Sequence, residues 1–455
     1  MSKLSRPVGI RDYFGYAMGD FGCNMSFALT TNYMMLFFTQ YIGVSLKDWA
    51  WIIIVGKVWD AINDPLIGGL VDKVRLSKNS KFKPWITIGG LALVVCTVFT
   101  FLPFASVGSY GLKVAYCLVA YCIWSVAYTM ANVPYGAMHS CITDEADKRT
   151  NLSTFRSIGA ALAQGPLMII LPMVIFDDND QVIGGRMIWV ALICSAVGFL
   201  GFFLVNRLVT ERVELPAQTE QFNYVKTLKS FTKNRPLIAL CLVSILNIVC
   251  FMSMTTVNQI IFQSYFHNTK LLSIANIISY LPMVAVMPLV GMITKKIGKK
   301  GFLVAVNIIA SVAGVIMFII MKNVDPANSS AMIIWIVGLM FLFVSNASFG
   351  IIVWAMVVDC IDYGYEKTGV KEEGTTYAIY SFFRKLAQGI GSAFSALALS
   401  ACGYVEDLGA DQTIETAENI KDMYILVMTV GVILTVIIMQ FLYKTNEKKN
   451  TDKSA

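Results

Sequence analysis

The sequence predicts an all-α membrane protein with about twelve transmembrane helices in two six-helix bundles. Three observations lead there. Of its 455 residues 56% are apolar and only 14% charged, with a mean hydropathy of +0.64; soluble domains carry about 25% charged residues. Apolar runs long enough to cross a bilayer, which takes ~20 residues, recur from one end of the chain to the other. The longest polar connection, about Arg207 to Pro236, follows the sixth run and divides the runs evenly.

The runs fall at about 13–41, 49–70, 84–104, 112–138, 152–176, 186–206, 237–262, 271–294, 301–322, 331–358, 375–401 and 421–443. An even number places both termini on one side. Lysine and arginine identify that side. One set of connections holds Lys73, Arg75, Lys78, Lys81 and Lys83, then Lys148 and Arg149, then Arg207 and Arg212, then Lys295, Lys296, Lys299 and Lys300. The termini share its basic character. The opposite set holds single basic residues such as Lys47, Lys113 and Lys421, beside the acidic stretch Asp177-Asp178-Asn179-Asp180. A multi-pass protein of the cytoplasmic membrane with cytoplasmic termini is expected. The expected organisation is an N-terminal bundle at 1–206, a central cytoplasmic loop at 207–236, a C-terminal bundle at 237–443 and a tail at 444–455.

A repeat supports the division. Pro65-Leu66-Ile67-Gly68 in the second run is echoed by Pro288-Leu289-Val290-Gly291 in the eighth, and both copies lead into a basic turn. At matching positions this indicates two parallel repeats. At the same offset Asp60 and Asp64 become Met283 and Met287. The acidic pair therefore belongs to the N-terminal half alone.

That pair lies in the stretch Lys57-Val-Trp59-Asp60-Ala-Ile-Asn63-Asp64-Pro65. An Asp at the centre of a spanning helix costs about 2.5–3.5 kcal/mol on insertion scales. Four residues apart, the two carboxylates share a helix face, with Asn63 beside them and Lys57 one turn below. One reading is a salt bridge that locks two helices. The other is a cation site: hard oxygen ligands for Na⁺ or Li⁺, or carboxylates that take up and release H⁺.

Other intramembrane polar groups accompany it. Tyr16, Asp20 and Asn24 form one stripe of the first run, and Lys57 is a candidate partner for Asp20. The fourth run carries Tyr128, Thr129 and Asn132, followed by Gly136; Thr129 and Asn132 read equally as helix–helix glue. Arg156 opens the fifth run, where snorkelling and a cavity role compete. Arg384 and Gln388 share a face of the eleventh, with Arg384 ~15 Å inside it. It either meets substrate or pairs with Asp359 or Asp362. Trp59, Trp124 and Tyr380 either stack on a sugar face or pack.

No enzyme constellation is apparent. The ten cysteines lack CxxC spacing and read as small buried hydrophobes. His139 and His267 fall at opposite faces, and no phosphate loop or nucleophile elbow occurs. The net charge of +7 is spread over short loops, which excludes a nucleic-acid partner. No cleavable signal peptide is expected, because the first apolar run is far longer than an h-region. No cofactor is expected beyond a coupling cation.

Two resemblances follow from these motifs. Gly68-Gly-Leu-Val-Asp72, in the turn after the second run, resembles the signature of the major facilitator superfamily. That implies two bundles that rock about a central site, with Gly68, Asp72 and Lys57 in gating. Trp59-Asp60-Ala61-Ile62-Asn63-Asp64-Pro65, with Lys81-Phe82-Lys83-Pro84-Trp85, Gly19-Asp20-Phe21-Gly22, Asn132-Val-Pro-Tyr-Gly136 and Arg384-Lys385-Leu-Ala-Gln388, looks like the glycoside–pentoside–hexuronide:cation symporter family. This resemblance runs through nearly the whole chain. It implies a cation site of Asp60, Asn63, Asp64 and Thr129, and a sugar site drawing on Asn24, Asn132, Gly136, Arg156 and Gln388; the family's helix-one aspartate aligns with Asn24, and Asp20 and Arg384 are added to the expected sugar site as intramembrane charges. In the melibiose branch acidic, aromatic and basic residues stand where this chain has Asn24, Asn132, Gly136 and Gln388. The departures point to the glucuronide and xyloside branch instead.

The expected function is cation-coupled symport of a glycoside or small oligosaccharide by a monomer in the bilayer. A lysolipid carrier of the same superfamily and a non-transporting sugar sensor are the alternatives. Neutral Asn132 leaves few fixed anions around the cation, which favours H⁺ over Na⁺.

Overall fold

The computed structural model describes residues 6–77, 80–143, 145–213, 232, 234–326, 328–368 and 373–444. Every long element is a helix. In order they are α1 (Ile10–Leu36), continued by a π-helical turn at Phe37–Tyr41, α2 (Leu46–Lys73), α3 (Lys83–Thr100), α4 (Tyr110–Ile142), α5 (Ala146–Ile175), α6 (Gly184–Leu208), α7 (Arg235–Ser264), α8 (Thr269–Met321), α9 (Ser329–Thr368), α10 (Glu373–Ala401) and α11 (Ile414–Phe441).

α8 covers two of the expected spans. Its backbone turns at Gly298, where φ is +75° and ψ +164°. Only glycine adopts that conformation without strain, so the eighth and ninth spans form two arms joined by one residue. α9, α10 and α11 are therefore the tenth to twelfth spans. Among the described residues, eight helical stretches are long and apolar enough to cross a membrane. α1, α2 and α10 have the length but also carry most of the polar groups singled out above.

Side-chain caps set several helix starts. Ser45 accepts from Asp48 N at 3.2 Å to open α2. Asn234 accepts from Leu237 N at 3.1 Å to open α7, and Thr413 accepts from Thr416 N at 3.2 Å to open α11. Each supplies an acceptor to a helix N–H that has none.

The chain forms two compact units. The first holds α1–α6 together with Glu406–Gly409; the second holds α7–α11. In the first, α1 packs on α5 and α6, α3 on α4 and α6, and α2 on α4. A Cβ on Gly159 would overlap the Ala17 carbonyl, so α5 lies directly on the α1 backbone. In the second, α7 packs on α10 and α11, and α8 on α9 and α11. Its core gathers Val243, Val353, Met356, Tyr380, Met439 and Tyr443.

Residues 207–213, expected in the central loop, are built onto the first unit. Arg212 meets Asp12 Oδ2 at 3.0 Å, and Arg6 meets the same atom at 2.8 Å. The Asp12 side chain is fully buried. Glu211 accepts from Ser80 Oγ at 2.6 Å and from the backbone N–H groups of Lys81, Phe82 and Lys83 at 2.8, 3.1 and 3.3 Å, capping α3. Two carboxylates that find fixed partners hold this stretch down. Residues 214–231 and 233 of the expected loop and the tail beyond 444 lie outside the described residues, and Arg235 and Pro236 already belong to α7.

Candidate functional site

Two ladders of polar side chains run through the first unit. The first joins α2 to α4. Asp60 and Asp64 lie one turn apart on α2. Tyr121, Ser125 and Thr129 lie one turn apart on α4 and meet them. Tyr121 Oη donates to Asp60 Oδ2 at 3.1 Å, Ser125 Oγ donates to Asp60 Oδ1, and Thr129 Oγ1 donates to Asp64 Oδ1 at 2.8 Å. Lys57 Nζ donates to Asp60 Oδ2 at 3.1 Å and lies 5.8 Å from the Tyr121 ring centroid. Asn63 is buried beside them, and its Nδ2 makes no hydrogen bond among the described residues.

The second ladder joins α1 to α5. Arg156 Nε donates to Asp20 Oδ1 at 3.0 Å. Asn24 Nδ2 donates to the Asp20 carbonyl at 2.8 Å and to Asp20 Oδ2 at 3.3 Å. Gln164 Nε2 donates to Asn24 Oδ1 at 2.7 Å. The guanidinium of Arg156 lies 5.3 Å from the Tyr135 ring centroid, and Tyr135 stacks on Tyr16 at 4.7 Å. Arg156 is 39% exposed and Asp20 12%, so the pair reaches an open space with its basic member outward.

These ladders correct one expected contact. The partner of Asp20 is Arg156, and Lys57 pairs with Asp60 on its own helix. A lysine three residues before an aspartate is within reach without any second helix. Trp124 is packing: it is 5% exposed and donates from Nε1 to Ser26 Oγ at 2.9 Å. Tyr380, at 1% exposed, bonds Ser244 Oγ at 3.1 Å.

The remaining expected residues are spread along the helices. Asn132 is half-buried on α4. A Cβ at Gly136 would meet nothing within 4 Å, so the backbone there borders open space. A Cβ at Gly68 would touch only Val133 Cγ1, at 4.0 Å. Asp72 ends α2, and its side chain lies outside the described residues, as do those of Met283 and Met287.

In the second unit Arg384 is exposed on α10, 5.8 Å from the Trp354 ring centroid. Asp359 and Asp362 do not hold it. Both oxygens of Asp359 accept from Lys299 Nζ, at 2.6 and 2.8 Å. Gln388 is half-buried one turn on, its carbonyl accepting from Ser392 Oγ at 3.1 Å.

Sequence reasoning missed Tyr121, Ser125 and Gln164. The first two carried a signal: with Thr129 they repeat every four residues, the same spacing as the aspartates they meet. Gln164 follows Arg156 by two turns but has no charge to draw attention. Among the described residues no group of three or more His, Cys, Asp and Glu gathers as a metal site. The expected cation ligands comprise two carboxylates, one amide and one hydroxyl.

A polytopic helical chain of two units, with ionisable ladders inside one of them, is a membrane transporter of the major facilitator type. The model for the family described as MFS/sugar transport protein matches residues 15–447, and the chain belongs to this family of glycoside–pentoside–hexuronide-type sugar symporters. It is 31% identical to the "Uncharacterized symporter YjmB" of Bacillus subtilis (strain 168), over 98% of this chain and 95% of that one. It is 25% identical to the "Glucuronide carrier protein homolog" of Escherichia coli (strain K12), covering 98% and 95%. It is 28% identical to the "Isoprimeverose transporter" of Lactiplantibacillus pentosus, covering 95% and 88%. Among solved structures, a D-xylose-proton symporter shares the fold, with a TM-score of 0.65, 12% identity and coverage of 96% and 98%. The family's members are transporters, not enzymes.

Proposed function

We propose that this sugar symporter couples the inward movement of a glycoside, of glucuronide or xyloside type, to a monovalent cation. The observation that carries the reading is the α2–α4 ladder, in which Asp60 and Asp64 face a matched row of hydroxyl donors. Intramembrane carboxylates with this much support mark ion pathways more often than simple helix glue.

Asp60, Asn63, Asp64 and Thr129 receive the cation. The Lys57 ammonium already lies on Asp60, so an arriving cation competes with it for that carboxylate. Few fixed anions weaken Na⁺ binding, and a carboxylate that needs no full coordination shell suits H⁺. One unit charge moving down 100 mV supplies about 2.3 kcal/mol, or roughly 50-fold accumulation at 1.4 kcal/mol per decade.

Arg156 contacts the sugar, with Asp20 compensating its charge and open space at Gly136 beside Asn132. Arg384 and Gln388 on α10 are sugar-binding residues of the second unit. Gly68 and Asp72, at the end of α2, act in gating. The names of two relatives, a glucuronide carrier homolog and an isoprimeverose transporter, support the choice of branch. The protein functions as a monomer in the cytoplasmic membrane with both termini cytoplasmic, the side its basic loops select.

The test is counterflow of labelled sugar in proteoliposomes holding the purified chain. A panel of β-glucuronides, xylosides and α-galactosides is compared under imposed Na⁺ or H⁺ gradients. Accumulation of a glucuronide or xyloside that collapses with one gradient is expected. Movement of sugar indifferent to both gradients would end the coupling reading.

A further inference from the structure

The α1–α5 ladder has a direction. Gln164 Nε2 donates to Asn24 Oδ1 at 2.7 Å, Asn24 Nδ2 donates to Asp20 Oδ2 at 3.3 Å, and Asp20 Oδ1 accepts from Arg156 Nε at 3.0 Å. Asn24 has two amide hydrogens, and both go to Asp20, one to its carboxylate and one to its backbone carbonyl at 2.8 Å. Its carbonyl oxygen is taken by Gln164. Asn24, a position where the resemblance implied a sugar ligand, therefore has no donor left for a sugar. It is a link between Gln164 and Asp20.

What Gln164 adds is the orientation of that link. An amide turned by 180° presents its oxygen where its nitrogen was. Turned that way, Asn24 would put its carbonyl against the Asp20 carboxylate, acceptor to acceptor. The Gln164 donor fixes the opposite orientation. Asp20 is then held on both oxygens, and it engages Arg156 through Nε alone. The two terminal nitrogens of the guanidinium make no bond to Asp20; the guanidinium also lies beside the Tyr16 hydroxyl, and its terminal edge is the one that matches paired oxygens. Packing does not require this chain of bonds, since α5 already lies on the α1 backbone where Gly159 meets Ala17.

We infer that Gln164 is a positioning residue of the sugar subsite, acting through Asn24 and Asp20 on the face that Arg156 presents to substrate. The inference rests on the reading of Arg156 as a sugar contact. It makes Gln164 a determinant of sugar affinity although it is two turns from that arginine.

The experiment compares Gln164→Leu, Gln164→Glu, Asn24→Leu and the Gln164→Leu/Asn24→Leu double variant in proteoliposomes. It reads half-saturating sugar concentration separately from maximal rate per molecule. One hydrogen bond of this kind corresponds to about a fivefold change. Gln164→Leu is expected to raise the half-saturating concentration about fivefold at an unchanged maximal rate, and to add less than about twofold in the Asn24→Leu background. Gln164→Glu has nearly the shape of the native residue but only accepts when ionised, so it turns the Asn24 amide round and is expected to be worse than Leu. A merely structural side chain would give the reverse order.

Wild-type affinity in both Gln164 variants, or full additivity with Asn24→Leu, would overturn the inference. Failure of the sugar reading is separable. If the wild type moves none of the glycosides, the same four proteins are unfolded thermally in detergent without sugar. Non-additive midpoints then support the relay, and additive ones remove it whatever the substrate is.

Discussion

Lys57 and Asp60 form an ion pair within one helix, Nζ to Oδ2 at 3.1 Å, and both are partly exposed, at 29% and 21%. The ammonium therefore sits where a coupling cation is proposed to bind. Tyr121 and Ser125 complete the shell of the same carboxylate, so Asp60 keeps hydrogen-bond support when the lysine is lost. Lys57→Gln is expected to lower the cation concentration for half-maximal uptake about tenfold, the effect of roughly 1.4 kcal/mol of removed competition. Maximal uptake should fall, because the empty carrier must then reorient with an uncompensated carboxylate. Uptake measured against cation concentration checks this. An unchanged dependence would return Lys57 to the gating role the sequence suggested.

Asp64 accepts from Thr129 Oγ1 at 2.8 Å, and that contact ties it to the same row of hydroxyls. Asp64→Asn keeps size and hydrogen bonding but removes the charge. Cation-driven accumulation is expected to fall at least tenfold, while sugar exchange at equal concentrations persists, since none of the proposed sugar contacts lies on α2. If the variant still concentrates sugar as the wild type does, the cation site lies elsewhere.

Asp20 makes the Arg156 subsite electrically neutral. A neutral subsite reads hydroxyls; an uncompensated arginine prefers an anion. Asp20→Asn is therefore expected to shift preference from a neutral xyloside toward a hexuronide by about tenfold, measured as the ratio of their competition constants. An unchanged ratio with normal protein levels would mean that Arg156 does not meet the substrate's charged end.

Glu211 makes four hydrogen bonds to the start of α3 and its approach. Anionic caps at helix N-termini contribute about 1–2 kcal/mol. Glu211→Gln is expected to lower the unfolding midpoint in detergent while leaving transport per folded molecule unchanged. A normal midpoint with slowed transport would instead make this cap part of the moving machinery.

Much of this was legible in the sequence because a membrane makes polarity expensive. Twelve apolar runs read as helices, and the cost of burying Asp60 and Asp64 marked them before any geometry was known. Partners were less legible. Lys57 could reach Asp20 or Asp60 on spacing grounds, and only the packing of α1 against α5 brings Arg156 to Asp20. Neutral donors such as Ser125 and Gln164 carry little cost of their own, so nothing in composition separates them from ordinary helix residues. The joining of the eighth and ninth spans at Gly298 needed a backbone angle, since a glycine between lysines reads as any short loop.

Arg384 is exposed on α10 beside Trp354, with its two expected acidic partners accounted for otherwise. Asp359 is held by Lys299 through both oxygens, and Asp362 is exposed without an ion pair to Arg384. The guanidinium instead lies against an indole face, an arrangement worth about 0.5–2 kcal/mol that leaves its hydrogen-bonding edge uncommitted. Trp354 is itself positioned, edge-on to Tyr380 at 5.4 Å. A planar cation over an aromatic ring and open at its edge is suited to a carboxylate or a pair of vicinal hydroxyls. Arg384→Gln is expected to reduce uptake of a β-glucuronide about a hundredfold and of a neutral xyloside about tenfold, with protein in the membrane unchanged. Arg384→Lys should restore little, because an ammonium lacks the fork. Normal glucuronide uptake by Arg384→Gln, together with strong competition from melibiose, would place the substrate in the α-galactoside class and remove Arg384 from the sugar site.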